Sequence, residues 1–542
     1  MKEVPSGCPF WQDNSPIGFT HPGTISAVFC CGILLSLKRR AERGMEGGSM
    51  RSAIKVDAER IIGKVDPLIY GHFIEHLGRC IYGGILDPSL LPREELAAAM
   101  RKIRPSIIRW PGGCFSDGYH WLDGVGPKDN RPTRPNLAWR NADETNRFGT
   151  DEFIAYSRRI GAEPYICANV GSGSPEEAAD WVEYCNGTGN TTYAKMRRAN
   201  GSEQPFGVRY WGVGNEIDET EHVNEIGCLS AVDYARAVRE YSKLMRRISE
   251  DIKLIAVGSN RGEVDWNLTV LEKAGAYMDY IALHGYYGTD DYYSTVAGPV
   301  YVEKRVRMLQ SAIELAAFTT GSTKRIPIAF DEWNVWYRTR GDKEQLFEEV
   351  YELKDALFIA GAFNALHRMS GIVKMANLAQ MVNALGMIHV DAAGMVLSPL
   401  YHAFDLYANH TGSTVFDTFT LSETFDTQDN GGPRGMGPLS GVPYLDAQAT
   451  LKEDGGGRTL CLAVVNRHKD APIECRIRLD GFTVGSAAAV FELTGSGPLA
   501  RNTVADANAV SVKPRPSVKP GTDFVHAFAP RSATVIEIPL AK

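Results

Sequence analysis

Two glutamates stand where short apolar runs give way to polar residues: Glu216 closes WGVGNE and Glu332 sits inside FDEWN, each with an amide and aromatic residues beside it. Two carboxyl groups held about 5–5.5 Å apart can cleave a glycosidic bond with retention, one attacking the anomeric carbon while the other protonates the departing oxygen. The two must differ in protonation at rest, the acid sitting in the more apolar or more anionic surroundings. Residue types and spacing do not say which glutamate plays which part. A lone glutamate in such a place is as readily a helix N-terminal partner or a surface charge, so the case rests on there being two and on what positions them.

From residue 67 onward, short β-branched or aromatic runs alternate with longer amphipathic stretches, the pattern of βα units on a parallel sheet. The runs are PLIYGHFIEH (67–76), SIIRWPGG (106–113), PYICANVG (164–171), RYWGVGNE (209–216), KLIAVGSN (253–260), DYIALHGYY (279–287), PIAFDEWN (327–334) and IVKMANLAQM (372–381). Eight such units predict an α/β fold of the (β/α)8 TIM barrel type, whose chemistry lies at the C-terminal ends of the strands. Glu216 then ends the fourth strand and Glu332 the seventh, and those ends face each other across the barrel mouth. The intervening helices carry start and stop signals. Ser174 followed by Pro175, Glu176 and Glu177 reads as a capping box with proline in the first helical position, ending near Asn186-Gly187. Another helix opens at Ser230 with Asp233 three residues on, and the helix holding Phe153, Ile154 and Ile160 stops at Gly161. After SPLYHAFDLYANH, the expected eighth barrel helix, the alternating runs TLCLAVVNRH, IECRIRLDGF, AAAVFEL and SATVIEIPL predict an antiparallel β-sandwich of jelly-roll type. AIKVDAERIIG (53–63) is placed to add one strand to it from the other end of the chain. The expected organisation is a tail over 1–50, a sandwich strand within 51–65, a barrel over 66–411 and a sandwich over 412–542.

At 542 residues, two domains are the natural expectation. The net charge of -7 offers no basic surplus for phosphate backbones, which argues against a nucleic-acid partner. The ten cysteines are scattered, and Cys167 and Cys461 lie in apolar runs where a reduced thiol packs as a small hydrophobe. No Cys-x-x-Cys or His-x-x-x-His spacing suggests a metal, so neither metal nor cofactor is expected. The apolar stretch Thr24 to Leu37 is followed, not preceded, by Lys38, Arg39 and Arg40, the reverse of a secretory signal, and is too short to span a bilayer. It is read as a disordered tail or an upstream start, with Met50 the working start, in preference to a membrane anchor.

WGVGNE, FDEWNVWY, RWPGGCF and ANLAQMVN together resemble glycoside hydrolase family 51, arabinofuranosidases of a large retaining barrel clan, and the likeness runs from about residue 53 to the C-terminus. The resemblance implies an exo-acting enzyme that removes non-reducing terminal α-L-arabinofuranosyl groups from arabino-oligosaccharides or from arabinoxylan and arabinan fragments by double displacement. It implies that Glu216 is the acid/base, Glu332 the nucleophile, and Asn215 a donor to the sugar 2-hydroxyl. Glu75, ending the first strand, would accept from furanose hydroxyls; its alternative is an ion pair with Arg79 or Arg109. Arg109 would orient the Glu332 carboxylate through its guanidinium fork, with a plain salt bridge as the alternative. Cys114 follows Pro111-Gly112-Gly113, where the missing side chains let the backbone approach a small sugar. Many relatives carry asparagine at that place, so one expected hydrogen bond is missing. Tyr286 is the candidate hydroxyl donor to Glu332, and His284 either supports the site or is a satisfied core histidine. Gln380, ending the eighth strand, would bind a sugar hydroxyl, and Trp139, Trp333 and Trp336 either offer faces to sugar C–H surfaces or are core.

The segment after Glu216, IDETEHVNEIGCLS, lacks the Gly-Pro-Trp common in relatives, which leaves the leaving-group preference open. The resemblance also implies a homo-oligomer, commonly a hexamer; a cytoplasmic enzyme that meets short arabinofuranosyl oligosaccharides is expected because no export signal is convincing and polymers would not enter the cell. Two other readings compete: another retaining glycosidase of the clan, an endoglucanase or β-xylosidase with an open cleft, and a non-catalytic carbohydrate-binding barrel.

Overall fold

The computed structural model describes residues 52–139, 143–218, 226–259, 262–337, 347–428, 437–455 and 457–541. The expected tail with its Thr24–Leu37 stretch, and residues 219–225 of the segment after Glu216, lie outside the described residues.

A first strand, β1 (Ala53–Lys64), precedes eight others: β2 (Gly71–Phe73), β3 (Ile107–Trp110), β4 (Glu163–Ala168), β5 (Tyr210–Val213), β6 (Lys253–Ala256), β7 (Tyr280–Tyr287), β8 (Ile328–Val335) and β9 (Val373–Ala379). These eight pair in parallel and close into a barrel in chain order, β9 returning to β2. All eight arise at the predicted runs, β4 starting one residue before its run and β8 ending one residue after, and most are shorter than predicted. Residues 67–70 form a 3-10 turn instead of strand, because Pro67 has no N–H for a ladder and suits a first helical position; the Asp66 carboxylate caps that turn by accepting from the Leu68 N–H at 3.0 Å. The barrel interior is filled, not hollow: Ile107, Tyr165, Tyr210, Ile255, Ala282, Ala329 and Met375, one from each of β3 to β9, form a buried layer beneath the mouth.

The helix signals are realised with one change. Ahead of α2 (Pro175–Asn186), the Ser174 hydroxyl accepts from the Glu177 N–H at 3.2 Å, but Glu177 does not return the bond of a capping box; its carboxylate meets His120 at 2.9 Å. Ser230 caps α3 (Ala231–Ile248) by accepting from the Asp233 N–H. The helix before these, α1 (Thr150–Arg159), gives way at Gly161, whose φ of +79° lies in the left-handed region that glycine adopts without strain.

The C-terminal strands are β10 (Thr414–Leu421), β11 (Leu445–Asp454), β12 (Gly457–Asn466), β13 (Ile473–Asp480), β14 (Ala488–Thr494), β15 (Ser511–Val518), β16 (Asp523–Phe528) and β17 (Ser532–Pro539). They hydrogen-bond as one nine-stranded sheet in the order β15-β14-β17-β12-β11-β10-β1-β13-β16. The N-terminal strand thus joins as expected, but not wholly antiparallel: β1 pairs antiparallel with β10 and parallel with β13. The sheet folds over, so that Ile54 and Val56 of β1, Leu460 and Leu462 of β12 and Ile477 of β13 share one core. The opposite face of β12, carrying Cys461, Ala463 and Val465, packs into the barrel's core against α4 (Leu353–Arg368). Burial on both faces is why TLCLAVVN reads as a continuous apolar run.

Candidate active site

The barrel mouth is organised by two departures from regular strand geometry. The first is a bulge in β8. On the β7 side the register steps from Ala329 opposite Ala282 to Glu332 opposite His284, and on the β9 side from Phe330 opposite Ala376 to Trp333 opposite Leu378. One extra residue is accommodated on each side, which breaks the two-sided alternation of a strand and re-aims its side chains. Consecutive residues Asp331 and Glu332 therefore both reach the Arg109 guanidinium, Glu332 Oε2 accepting from Nη1 at 2.6 Å and Asp331 Oδ2 lying 3.7 Å from Nε. Trp333 is thereby turned outward. It is fully buried, stacked on Phe330 at 5.8 Å and edge-on to Phe363 at 5.7 Å, so it is core and offers no face to a sugar. The second departure follows β5. Gly214 has φ +82° and Glu216 has φ +34°, a left-handed conformation uncommon outside glycine, and the Asn215 N–H is tied to Asp117 Oδ2 at 3.0 Å.

These turns bring the two glutamates together. One carboxylate oxygen of Glu216, one of Glu332 and a ring nitrogen of His284 all lie within 4.8 Å of one another. Glu332 is held at both oxygens, since Tyr286 donates its hydroxyl to Oε1 at 2.7 Å while Arg109 takes Oε2. Arg109 also donates through Nη2 to Asn215 Oδ1 at 2.6 Å, which sets the amide with Nδ2 as its donating end. Both parts expected of Arg109, orienter and salt bridge, are one arrangement. A cation could sit among Glu216, His284 and Glu332 by distance alone, but the guanidinium already supplies positive charge against Glu332.

His284 is no bystander of the core. Its Nδ1 is 2.8 Å from Glu216 Oε1 and 3.6 Å from Glu332 Oε2. Burial by itself depresses an imidazole, but the surrounding Glu332, Asp331 and Glu216 outweigh it and lift His284 to about 10, so the ring is cationic at neutral pH. Burial and Glu332 together push the Tyr286 phenol well above its ordinary range, leaving it a hydrogen-bond donor.

Glu75 departs from the ion-pair reading of it. Arg79 pairs with Glu348 at 2.7 Å and Arg109 with Glu332, so among the described residues neither expected partner forms an ion pair with Glu75. Its Oε1 accepts the N–H groups of Gly113 and Phe115 at 3.0 and 3.1 Å, and Oε2 faces the Gln380 amide at 3.3 Å. Both glycines sit close to the carboxylates: a Cβ on Gly112 would clash with Glu75 Cγ at 2.5 Å, and one on Gly113 would press on Glu332 Oε2 at 3.2 Å. Burial first, then the nearby Glu332 charge, raise Glu75 to about 8 against the lowering effect of the Phe115 N–H, the Trp139 indole and Arg109. Glu75 is therefore a neutral acid at pH 7 that can donate as well as accept.

The cavity over these groups, about 410 Å³ including its mouth, is lined by Glu75, Cys114, Trp139, Glu216, Tyr286, Glu332, Trp336 and Gln380, with Leu77, Phe347 and Leu385 added. Its aromatic wall is a chain of edge-on contacts, Tyr286 to Trp336 at 5.3 Å, Trp336 to Phe347 at 4.9 Å and Phe347 to Trp139 at 5.2 Å. Sequence reasoning missed Phe347, which lies outside the strands and has no motif around it.

Two family descriptions match the chain: the Alpha-L-arabinofuranosidase 1 domain over residues 99–299 and the Alpha-L-arabinofuranosidase C-terminal domain over 331–532. Alpha-L-arabinofuranosidase C of Emericella nidulans is 35% identical over 83% of this chain and 90% of its own length. Intracellular exo-alpha-(1->5)-L-arabinofuranosidase 1 of Bacillus subtilis is 33% identical over 79% of this chain and 87% of its own. The alpha-L-arabinofuranosidase of Thermotoga maritima, solved with arabinose, is 43% identical with a TM-score of 0.84, covering 90% of this chain and 100% of that one.

The chain belongs to the α-L-arabinofuranosidases of glycoside hydrolase family 51. Within that family the fold is a TIM barrel with a C-terminal β domain, as found here. Membership displaces the endoglucanase and β-xylosidase readings. In this family 51 arabinofuranosidase Cys114 lines the pocket wall, so a thiol stands where the resemblance expects an asparagine amide. Among the described residues no helix is long and apolar enough to cross a membrane.

Proposed function

We propose that Glu332 is the nucleophile and Glu216 the general acid/base of a retaining, exo-acting double displacement at terminal α-L-arabinofuranosyl groups. The observation that carries this reading is the approach of the two carboxylates to within 4.8 Å across a pocket, with Glu332 pinned at both oxygens by Arg109 and Tyr286. In the first step a Glu332 oxygen bonds to the anomeric carbon as the glycosidic C–O bond breaks, and the departing oxygen takes the proton of Glu216. In the second, water adds to that carbon, its proton passes to Glu216, and Glu332 leaves as a carboxylate. Esterified Glu332 no longer repels a charge on Glu216, which favours the base form when it is needed. Asn215 Nδ2, neutral Glu75 and Gln380 supply hydrogen bonds to the furanose hydroxyls, and Trp139 and Trp336 pack against its C–H surface.

A pocket of this size suits one terminal sugar better than an internal unit of a polymer. We further propose short arabino-oligosaccharides as the substrates, a cytoplasmic location and a homo-oligomeric assembly, with the barrel spanning 66–411 and the sandwich 412–542. Proton NMR of products released from defined arabinosylated oligosaccharides tests the central claim: the anomer first formed keeps the substrate's configuration, and first formation of the other anomer refutes it. Glu216→Ala is expected to lose activity most on poor leaving groups and to be partly rescued by azide, which replaces water in the second step without needing a base.

A further inference from the structure

The residue before Glu332 is a buried carboxylate with no place in the mechanism above. Asp331 is 1% exposed, and the β8 bulge turns it to the same side as Glu332. Oδ2 accepts the Tyr165 hydroxyl at 2.7 Å and faces Arg109 Nε at 3.7 Å, while Oδ1 faces His284 Nε2 at 3.4 Å. Asp331 Oδ1 and Arg109 Nε make no hydrogen bond among the described residues, so what each has is a charge contact at ion-pair distance, Oδ1 with His284 and Nε with Asp331 Oδ2. On their far sides, His284 Nδ1 meets Glu216 Oε1 at 2.8 Å and Arg109 Nη1 meets Glu332 Oε2 at 2.6 Å.

We propose that Asp331 is a positioning residue that orients both reactive glutamates from one buried point, by holding His284 as a donor through Nδ1 to Glu216 and by holding the guanidinium that clamps Glu332. Without an acceptor at Nε2 the imidazole has no reason to keep Nδ1 toward Glu216, and a half-turn of the ring would present a carbon there. With the ring held, Oε1 of Glu216 belongs to the imidazole and the proton given to the leaving group belongs to Oε2. The carboxylate is ionised: burial raises its pKa, but Arg109, His284 and Tyr165 together bring it below the usual range. The charged and titratable groups around His284 are Glu216, Asp331 and Glu332, with Arg109, Tyr165, Tyr286 and Glu75 beyond them. Removing the Asp331 charge therefore withdraws one of the two anions, Asp331 and Glu332, whose charge keeps the ring protonated.

This inference rests on the roles given to Glu216 and Glu332, and the test separates the two. In Asp331→Asn, an isosteric change, kcat on an aryl α-L-arabinofuranoside is expected to fall about 100-fold with KM moving less than about threefold. The His284 ring nitrogens, followed by 15N NMR in the sugar-free enzyme and assigned by their loss in His284→Gln, should titrate about one pH unit lower or more. The NMR readout does not depend on which glutamate attacks, so it shifts even if the anomeric test overturns the catalytic roles. A folded Asp331→Asn protein with wild-type kcat and an unmoved His284 titration overturns the proposal. Should that variant not fold, Tyr165→Phe, which frees Asp331 to swing without changing any charge, is expected to lower kcat about three- to tenfold; an unchanged kcat overturns the proposal equally.

Discussion

Replacing Tyr286 by phenylalanine removes one oxygen and nothing else from the pocket, since the ring can keep its edge-on contact with Trp336. The lost bond is from a neutral phenol to an anionic carboxylate at 2.7 Å, a kind that contributes roughly 1.5–3 kcal/mol, or about 10- to 150-fold in rate if fully expressed in a transition state. Its sign differs between the two chemical steps. In glycosylation Glu332 gives up its charge, so the bond stabilises the ground state more than the transition state and its loss costs little. In deglycosylation Glu332 leaves as a carboxylate and the bond strengthens as charge returns. If half the charge has returned at that transition state, the loss is about 3- to 12-fold; if nearly all has, it approaches the upper figure. With a dinitrophenyl α-L-arabinofuranoside, whose departure is fast, kcat should fall within that range, KM should fall with it as the ester accumulates, and a burst of phenolate should appear in stopped flow. A variant in which glycosylation slows more than deglycosylation, or in which neither changes, refutes the assignment of Glu332 as the group that leaves.

Glu75 supplies a pH signature of stability. Its carboxyl titrates near 8 when folded against 4.5 ordinarily, so the folded state holds the extra proton between those values. The stability tied to that proton is complete below about pH 4.5 and is lost as pH rises through 8. Calorimetry should therefore show the melting temperature of wild type falling relative to that of Glu75→Gln from pH 5 to pH 9; parallel curves would contradict a neutral Glu75. The tryptophans should separate cleanly. Trp333→Ala opens a cavity in the core and is expected to cost about 3–5 kcal/mol in denaturant unfolding, whereas Trp336→Ala, at the half-buried pocket wall, should raise KM with little loss of stability.

Much of this enzyme is written in local residue patterns. Alternating β-branched runs and capped amphipathic helices encode burial one element at a time, so the eight barrel strands, the added β1 and the capping serines could be read without coordinates. Glu216 and Glu332 were legible for the same reason, as polar residues ending strands whose ends must converge. Other features depend on groups far apart in sequence and could be decided only by the packed chain. The β8 bulge is settled by what β7 and β9 place opposite it, and it alone makes Asp331 and Glu332 neighbours at Arg109 while sending Trp333 into the core. The cationic state of His284 and the neutral state of Glu75 are sums of burial and of charges contributed by several strands, and no single segment carries them. Pairing direction behaves likewise: β1 runs parallel to β13 because the fold brings them side by side, a partner that alternation within β1 cannot name.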